Sequence, residues 1–410
     1  MATLHFTPIH QDTNVFSIAN KALKLTSADD IKPYLDDLSK SEKITKLDFS
    51  GNTIGIEASS ALSKFIADHD SVKLNVTEIN FADLYTSRLV DEVVKSLNLL
   101  LPVLLKCPKL EILNLSDNAF GLRTIDILER YISNAVNLKH LILSNNGMGP
   151  FAGERIGKAL FQLAEKKKKE GKPFLETFIC GRNRLENGSA ACLALGLKNH
   201  GQGLKVVKLY QNGIRPKGVA TLIKYGLKYN TGLEVVDLQD NTFTTSASLV
   251  LAETLPEWKN SLVELNVNDC LLKGKGSDAV IRVLRENDFP ALENLKLQYN
   301  EITQETLVNE LLPALKDDKL PSLKSLELNG NRFEEDSKPL ETLQEIFAGE
   351  LDELDDLEEV DSEEEEEEEE SEEEEEDAEE LEEIDLETLE KGMLESQIED
   401  LAEELEKTHI

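Results

Sequence analysis

The side chains best placed to act on a partner share one recurring place in the chain: Asp117, Asn145, Arg182, Gln211, Asp240, Asp269 and Tyr299. Each directly precedes an asparagine, or once a cysteine (Cys270), that closes a nine-residue pattern. For any one of them a solvated turn is the bland account. Asn145 differs because Asn146 fills the pattern's own asparagine place, which leaves Asn145 as an exposed amide with no duty in the pattern. An amide can only donate and accept hydrogen bonds; an arginine is the stronger charge stabiliser. The arginine of interest is Arg88, in Ala82-Asp83-Leu84-Tyr85-Thr86-Ser87-Arg88, where Leu84 stands in place of the asparagine. The turn there is expected to be built differently and to project Arg88 at the same edge as Asn145. Pairing with Asp91 or Glu92 at a helix start is the competing account of Arg88.

No other constellation carries chemistry. The six histidines (His5, His10, His69, His140, His200, His409) lack metal-ligand spacing, and neither a GxSxG elbow nor a GxxxxGK[ST] phosphate loop occurs. Cys107, Cys180, Cys192 and Cys270 have no CxxC spacing, so neither a disulfide framework nor a zinc site is indicated. The first residues lack a basic region followed by an apolar core, and the longest apolar run, Leu99 to Leu105, is broken by Pro102. A soluble intracellular protein is therefore expected. The net charge of −36 is concentrated at one end: residues 350–410 hold 35 Asp and Glu against two Lys. Such a polyanion disfavours nucleic acid and anionic membrane and favours basic partners or simple solubility.

The elements that position the polar row follow from the pattern itself. In Leu138-Lys-His-Leu141-Ile-Leu143-Ser-Asn145-Asn146 the first, fourth and sixth places are apolar and the ninth is asparagine. The same template starts at Ile44, Leu110, Leu175, Leu204, Leu233, Leu262, Leu292 and Leu323, and incompletely at Val76. This is a leucine-rich repeat. Each unit predicts one short strand, an asparagine that satisfies backbone groups in the turn, and a returning helix; no unit buries its face alone, so the units stack. From Ile44 to Leu323 the mean step is 31 residues, long enough for a full helix on the convex side. The expected fold is an α/β solenoid: a ribonuclease-inhibitor-like horseshoe of about 11 repeats, with parallel strands on the concave face.

Residues 1–43 read as an N-terminal cap and first repeat, with a degenerate strand at Phe16-Ser-Ile18 and a helix over 31–38. Residues 44–348 form the repeat domain, with a final helix ending near Phe347. The segment 349–377 is acidic low-complexity chain expected to be disordered, and 378–410 an acidic amphipathic helix through Leu394, Ile398, Leu401 and Leu405. The basic run Lys166–Lys169, followed by Glu170-Gly171-Lys172-Pro173, reads as a solvated loop in the longest repeat.

Several segments extend the likeness beyond the generic repeat: Leu47-Asp-Phe-Ser-Gly-Asn-Thr-Ile-Gly55, Tyr85-Thr-Ser-Arg88, Leu104-Leu-Lys-Cys-Pro-Lys-Leu110, Leu115-Ser-Asp-Asn-Ala-Phe-Gly121, Cys180-Gly-Arg-Asn-Arg-Leu-Glu-Asn-Gly-Ser189, Gln211-Asn-Gly-Ile-Arg-Pro216, Leu238-Gln-Asp-Asn-Thr-Phe-Thr244 and Asn268-Asp-Cys-Leu-Leu272, with the acidic tail. Through them the sequence resembles the fungal-type Ran GTPase-activating proteins over nearly its whole length, exposed places included. The resemblance implies an activator of GTP hydrolysis that supports nucleocytoplasmic transport and is not itself the hydrolase. GTP and Mg²⁺ would be held by Ran, the chain having no metal or cofactor of its own. It implies that Asn145 helps hold Ran's catalytic machinery without an inserted arginine finger, and that Arg88 anchors the interface or stabilises charge. Asp83, Asp117, Arg182, Arg184 and Asp240 are implied partner-binding residues. Ran·GTP is the implied partner, with room for a Ran-binding accessory protein in a ternary complex. The chain is expected to be a monomer located in the cytoplasm, with perinuclear placement or shuttling left open. The globular C-terminal domain by which animal relatives attach at nuclear pores has no counterpart in this sequence, so no modification-dependent tethering is expected.

Two other classes compete. An acidic-tailed leucine-rich-repeat histone chaperone or inhibitor scaffold would explain the tail, but not the long repeats. A ribonuclease-inhibitor-like scaffold fits the repeat class, but not the scarcity of cysteine.

Overall fold

Alternation of apolar residues at the fourth and sixth places builds short strands, and the computed structural model, which describes residues 4–357 and 388–394, stacks them in chain order. Its main sheet has twelve strands among the described residues: Val15–Ser17, Lys46–Asp48, Glu78–Asn80, Ile112–Asn114, His140–Ile142, Thr177–Ile179, Val206–Lys208, Val235–Asp237, Glu264–Asn266, Asn294–Lys296, Ser325–Glu327 and Glu350–Leu351. All pairings are parallel and in register, so the fourth-place residues form one row from Phe16 through Leu47, Ile79, Leu113, Leu141 and Phe178 to Leu326 and Leu351. Helices return the chain between strands, among them Val90–Leu104, Gly149–Glu170, Glu186–Lys198 and Thr244–Trp258. One contiguous apolar core lies between sheet and helices and runs the length of the solenoid.

The ninth-place asparagines form a buried ladder. Asn146 Nδ2 donates to Leu143 O at 2.8 Å in its own unit and to Leu115 O at 3.1 Å in the preceding one, while its Oδ1 accepts the Asn118 amide at 3.0 Å. Asn183 and Asn212 repeat the arrangement. Three bonds per side chain satisfy backbone groups that would otherwise be stranded in each turn.

Three expectations change. The turn at Leu84 is not differently built: its amide donates to Asn118 Oδ1 at 2.7 Å as an asparagine's would, and Leu84 is fully buried. Only the side-chain bonds are lost, because the next unit's asparagine supplies the acceptor. The basic run is not a loop. Lys166–Lys169 end the helix Gly149–Glu170, closed by Gly171 at φ 63° with Lys172 N–H donating to Lys167 O at 2.8 Å. The helix persists because Lys167 is wholly buried and its Nζ donates to the carbonyls of Val136, Leu138 and Pro173 at 2.9, 2.5 and 2.8 Å. Finally, the sheet continues to Glu350–Leu351, beyond position 348. Asp352 then closes it, its carboxylate accepting the Leu328 and Asn329 amides at 2.8 and 2.9 Å. The first helix begins at Ala28, capped by Ser27 and Asp30 in a reciprocal box, and the last spans Lys338–Ile346. The glutamate run and most of the expected terminal helix lie outside the described residues; within the latter, residues 388–394 are helical.

Candidate functional site

The eighth place of every unit lies where the chain turns out of the sheet, and its backbone is left-handed throughout. Asp83, Asp117, Asn145, Arg182, Gln211, Asp240, Asp269 and Tyr299 have φ between 47° and 61°, and Gly51 and Gly330 fill the same place with φ of 66° and 71°. From Gly51 to Tyr299 each backbone N–H donates across to the seventh-place carbonyl of the next unit: Asp117 to Ser144, Asn145 to Gly181, and Arg182 to Tyr210, all at 2.9 Å. Asp83, Asp117, Asn145 and Arg182 therefore stand on successive rungs of one ladder, with Asp240 two rungs further on. Arg184 belongs to a parallel series two residues later, also left-handed at φ 55°. Asn145, Asp117, Arg182, Arg184 and Asp240 are exposed; Asp83 is half-buried and accepts a bond from Thr86 Oγ1.

Asn145 does carry a structural duty, contrary to the expectation from the pattern. Its φ of 54° suits asparagine better than most side chains, and its Nδ2 donates to Asp117 Oδ1 at 2.8 Å. That bond orients the amide: one N–H is directed along the row, while the carbonyl oxygen and the second N–H are available at an exposed position. Beneath it, Tyr210 crosses two units to donate to Ser144 Oγ at 3.2 Å. The ring passes over Gly181, where an added Cβ would lie 2.5 Å from it. This support for Asn145 and Arg182 escaped the sequence reading. Its signal was a glycine at a seventh place followed by an aromatic at the next.

Arg88 does not project freely at the edge. Its side chain is only 11% exposed, with Nε donating to Thr53 Oγ1 at 3.0 Å, Nη2 to Thr26 Oγ1 at 2.9 Å, and Nη1 3.7 Å from Glu92 Oε1. Thr26 and Thr53 belong to the two preceding units, so the guanidinium reaches toward the N-terminal cap, while Asn145 lies two units the other way. The pairing with Glu92 matches the competing account of this residue. Also missed by the sequence reading were three exposed apolar side chains where successive units enter their returning segments: Leu89, Leu122 and Phe151, 72, 52 and 54% exposed. Three such residues in adjacent units suit contact with a protein better than contact with water.

Among the described residues no group of three or more His, Cys, Asp or Glu could hold a metal ion. No helix there is long and apolar enough to cross a membrane. All four cysteines are free and buried.

A leucine-rich-repeat family model matches residues 106–122. Ran GTPase-activating protein 1 of Saccharomyces cerevisiae is 68% identical over 347 residues, 85% of this chain and 85% of the relative. Ran GTPase-activating protein 2 of Caenorhabditis elegans is 37% identical over 209 residues, 50% of this chain and 21% of its own. The Ran GTPase-activating protein of Drosophila melanogaster is 32% identical over 223 residues, 53% of this chain and 36% of its own. Parallel sheet, asparagine ladder and helical returns define a leucine-rich-repeat solenoid of the long-repeat kind. Within that class, the chain belongs to the family of Ran GTPase-activating proteins.

Proposed function

We propose that this chain stimulates hydrolysis of GTP bound to the small GTPase Ran, by positioning groups that Ran itself carries. The observation that carries the reading is 68% identity across 85% of both chains to the yeast activator. The repeat template fixes only a few places in each unit, so identity at that level includes the exposed places where partners are recognised. A GTPase of the Ras type holds its own nucleotide, Mg²⁺ and a glutamine that orients the attacking water, and what it lacks is positioning and charge stabilisation. Activation of ~10³–10⁵-fold needs about 4–7 kcal/mol, within reach of a few aligned polar groups in a water-excluded contact.

Asn145 is the residue we assign to that alignment. Its amide is exposed, its backbone is fixed by the rung below, and Asp117 orients it. Arg88 is assigned as an anchor, because Thr26, Thr53 and Glu92 already hold its guanidinium. Asp83, Asp117, Arg182, Arg184 and Asp240 would contact Ran along the same edge, and Leu89, Leu122 and Phe151 would supply buried apolar area beside it. An accessory Ran-binding protein would join this pair in a ternary complex. The chain would act as a monomer outside the nucleus, which light scattering and cell fractionation test. The chaperone alternative rests on the tail alone, whereas family membership rests on the chain's repeats.

The deciding experiment is phosphate release from excess Ran·GTP with a trace of this protein, run beside Asn145→Ala and Arg88→Ala. Many turnovers with the parent and a rate lower by ~10²-fold with either variant are expected. Folded parent protein that fails to stimulate hydrolysis overturns the function, and an Asn145→Ala variant as active as the parent overturns the assigned site.

A further inference from the structure

The helix Glu186–Lys198 is apolar on more sides than its place in the solenoid requires. Leu193, Ala194 and Leu197 face the main core. Cys192 and Leu195, 4 and 2% exposed, are buried away from that core in a separate cluster with Phe161 of the preceding helix. A helix with apolar residues all round needs cover all round, and on its outer side the solenoid offers none. Residues 388–394 provide it. They are helical. Met393, 3% exposed, completes the cluster of Phe161, Cys192 and Leu195, and Leu389, one turn earlier, packs on it. At the rim, Glu390 Oε2 lies 3.4 Å from Lys198 Nζ. Apolar residues four apart share one face of a helix, so Leu389 and Met393 form a matched pair of anchors.

We infer that Phe161, Cys192 and Leu195 form a docking groove on the convex side, and that its occupant is this chain's own C-terminal segment, bound in cis. The chain has the reach. The residues between Leu357 and Thr388 could span at most ~100 Å, whereas five helix-to-helix steps of ~10 Å, or about 50 Å, separate Lys338–Ile346 from Glu186–Lys198.

Cys192 reports on the groove. Burial pushes its thiol up to about 11, so uncovering it raises both access and thiolate fraction. The full-length protein is labelled with N-ethylmaleimide and the rate at each cysteine is read by peptide mass spectrometry, in the parent and in Met393→Asp and Leu389→Asp. Cys192 should label at least ~10-fold faster in the variants, the factor expected when a segment worth about 1.4 kcal/mol is released. Cys107, Cys180 and Cys270 should stay slow, which excludes general unfolding. Equal Cys192 rates in parent and variants would overturn the inference. Dilution distinguishes the occupant: a tethered segment works at a fixed effective concentration, so protection in the parent should not change on dilution. Protection that fades on dilution would assign the groove to the tail of a second copy and overturn binding in cis.

Discussion

At the level of single residues, backbone conformation decides how a site can be tested. Asn145 sits at φ 54°, where replacement by alanine adds backbone strain of ~1 kcal/mol to the loss of the amide. Asn145→Gly removes the amide without that strain, and should lower stimulated hydrolysis by ~10²-fold, the scale for one preorganised hydrogen-bond donor, with an unchanged melting temperature. A comparable loss in Asn145→Ala accompanied by a lower melting temperature would separate the two effects. Lys167 poses the opposite case, a charged residue with no exposure. Burial lowers its amine to about 8, still charged at neutral pH, and each of its three N–H groups meets a carbonyl. Lys167→Met strands those carbonyls and should cost about 2–3 kcal/mol in urea unfolding. His200 is also fully buried. Its Nδ1 accepts the Leu175 amide, and burial lowers it from 6.5 to about 3. Below pH 6.5 the unfolded chain takes up a proton that the folded chain refuses. Stability present above that pH is therefore lost as pH falls toward 3, by about 1.4 kcal/mol per pH unit. In His200→Gln, urea unfolding followed between about pH 7 and pH 5 should show a slope shallower by one proton.

Among the elements, the asparagine ladder and the contact between neighbouring helices set the geometry. Asn212 Oδ1 accepts the Asn183 amide, and its Nδ2 donates to Cys180 O and Leu209 O at 3.0 and 2.8 Å. Asn212→Ala leaves the Asn183 amide unpaired, while Cys180 O and Leu209 O keep Asn183 Nδ2 and Asn241 Nδ2 at 3.2 and 3.1 Å; it should cost about 1–3 kcal/mol of unfolding free energy in urea. At Cys270 the ladder has a thiol, which donates weakly to Leu238 O but offers the Asn241 amide no carbonyl oxygen. Cys270→Asn should therefore raise the unfolding free energy by about 0.5–1.5 kcal/mol and move the urea midpoint upward. The helices Gly149–Glu170 and Glu186–Lys198 approach at Gly157, where an added Cβ would meet the Cys192 carbonyl carbon at 2.3 Å. Backbone cannot give way as a side chain can, so Gly157→Ala should part the two helices at a cost of about 1–3 kcal/mol.

For the molecule as a whole, stacking makes stability a sum over neighbouring units, and the closing strand at Glu350–Leu351 ends that stack. A chain ending at Leu357 should keep its full stimulation of Ran·GTP hydrolysis, measured as phosphate release, because the proposed site lies on units far from that end. A loss of activity on truncation would instead favour the chaperone-like reading of the tail. The sequence alone determined the solenoid, its strands and its ladder, because one period of apolar and asparagine places admits no other burial. It also marked the polar row, since residues at a fixed offset from buried asparagines must share an edge. Tertiary structure decided what spacing cannot encode. It folded Arg88 back onto Thr26 and Thr53, residues remote in sequence, and bound Asn145 to Asp117 across a unit boundary. It drew a lysine of the basic run into a cage of carbonyls from two other segments, and it seated Met393 on Cys192. Each of these depends on contacts between distant parts of the chain, whereas the repeat depends only on which side of each short element must be dry.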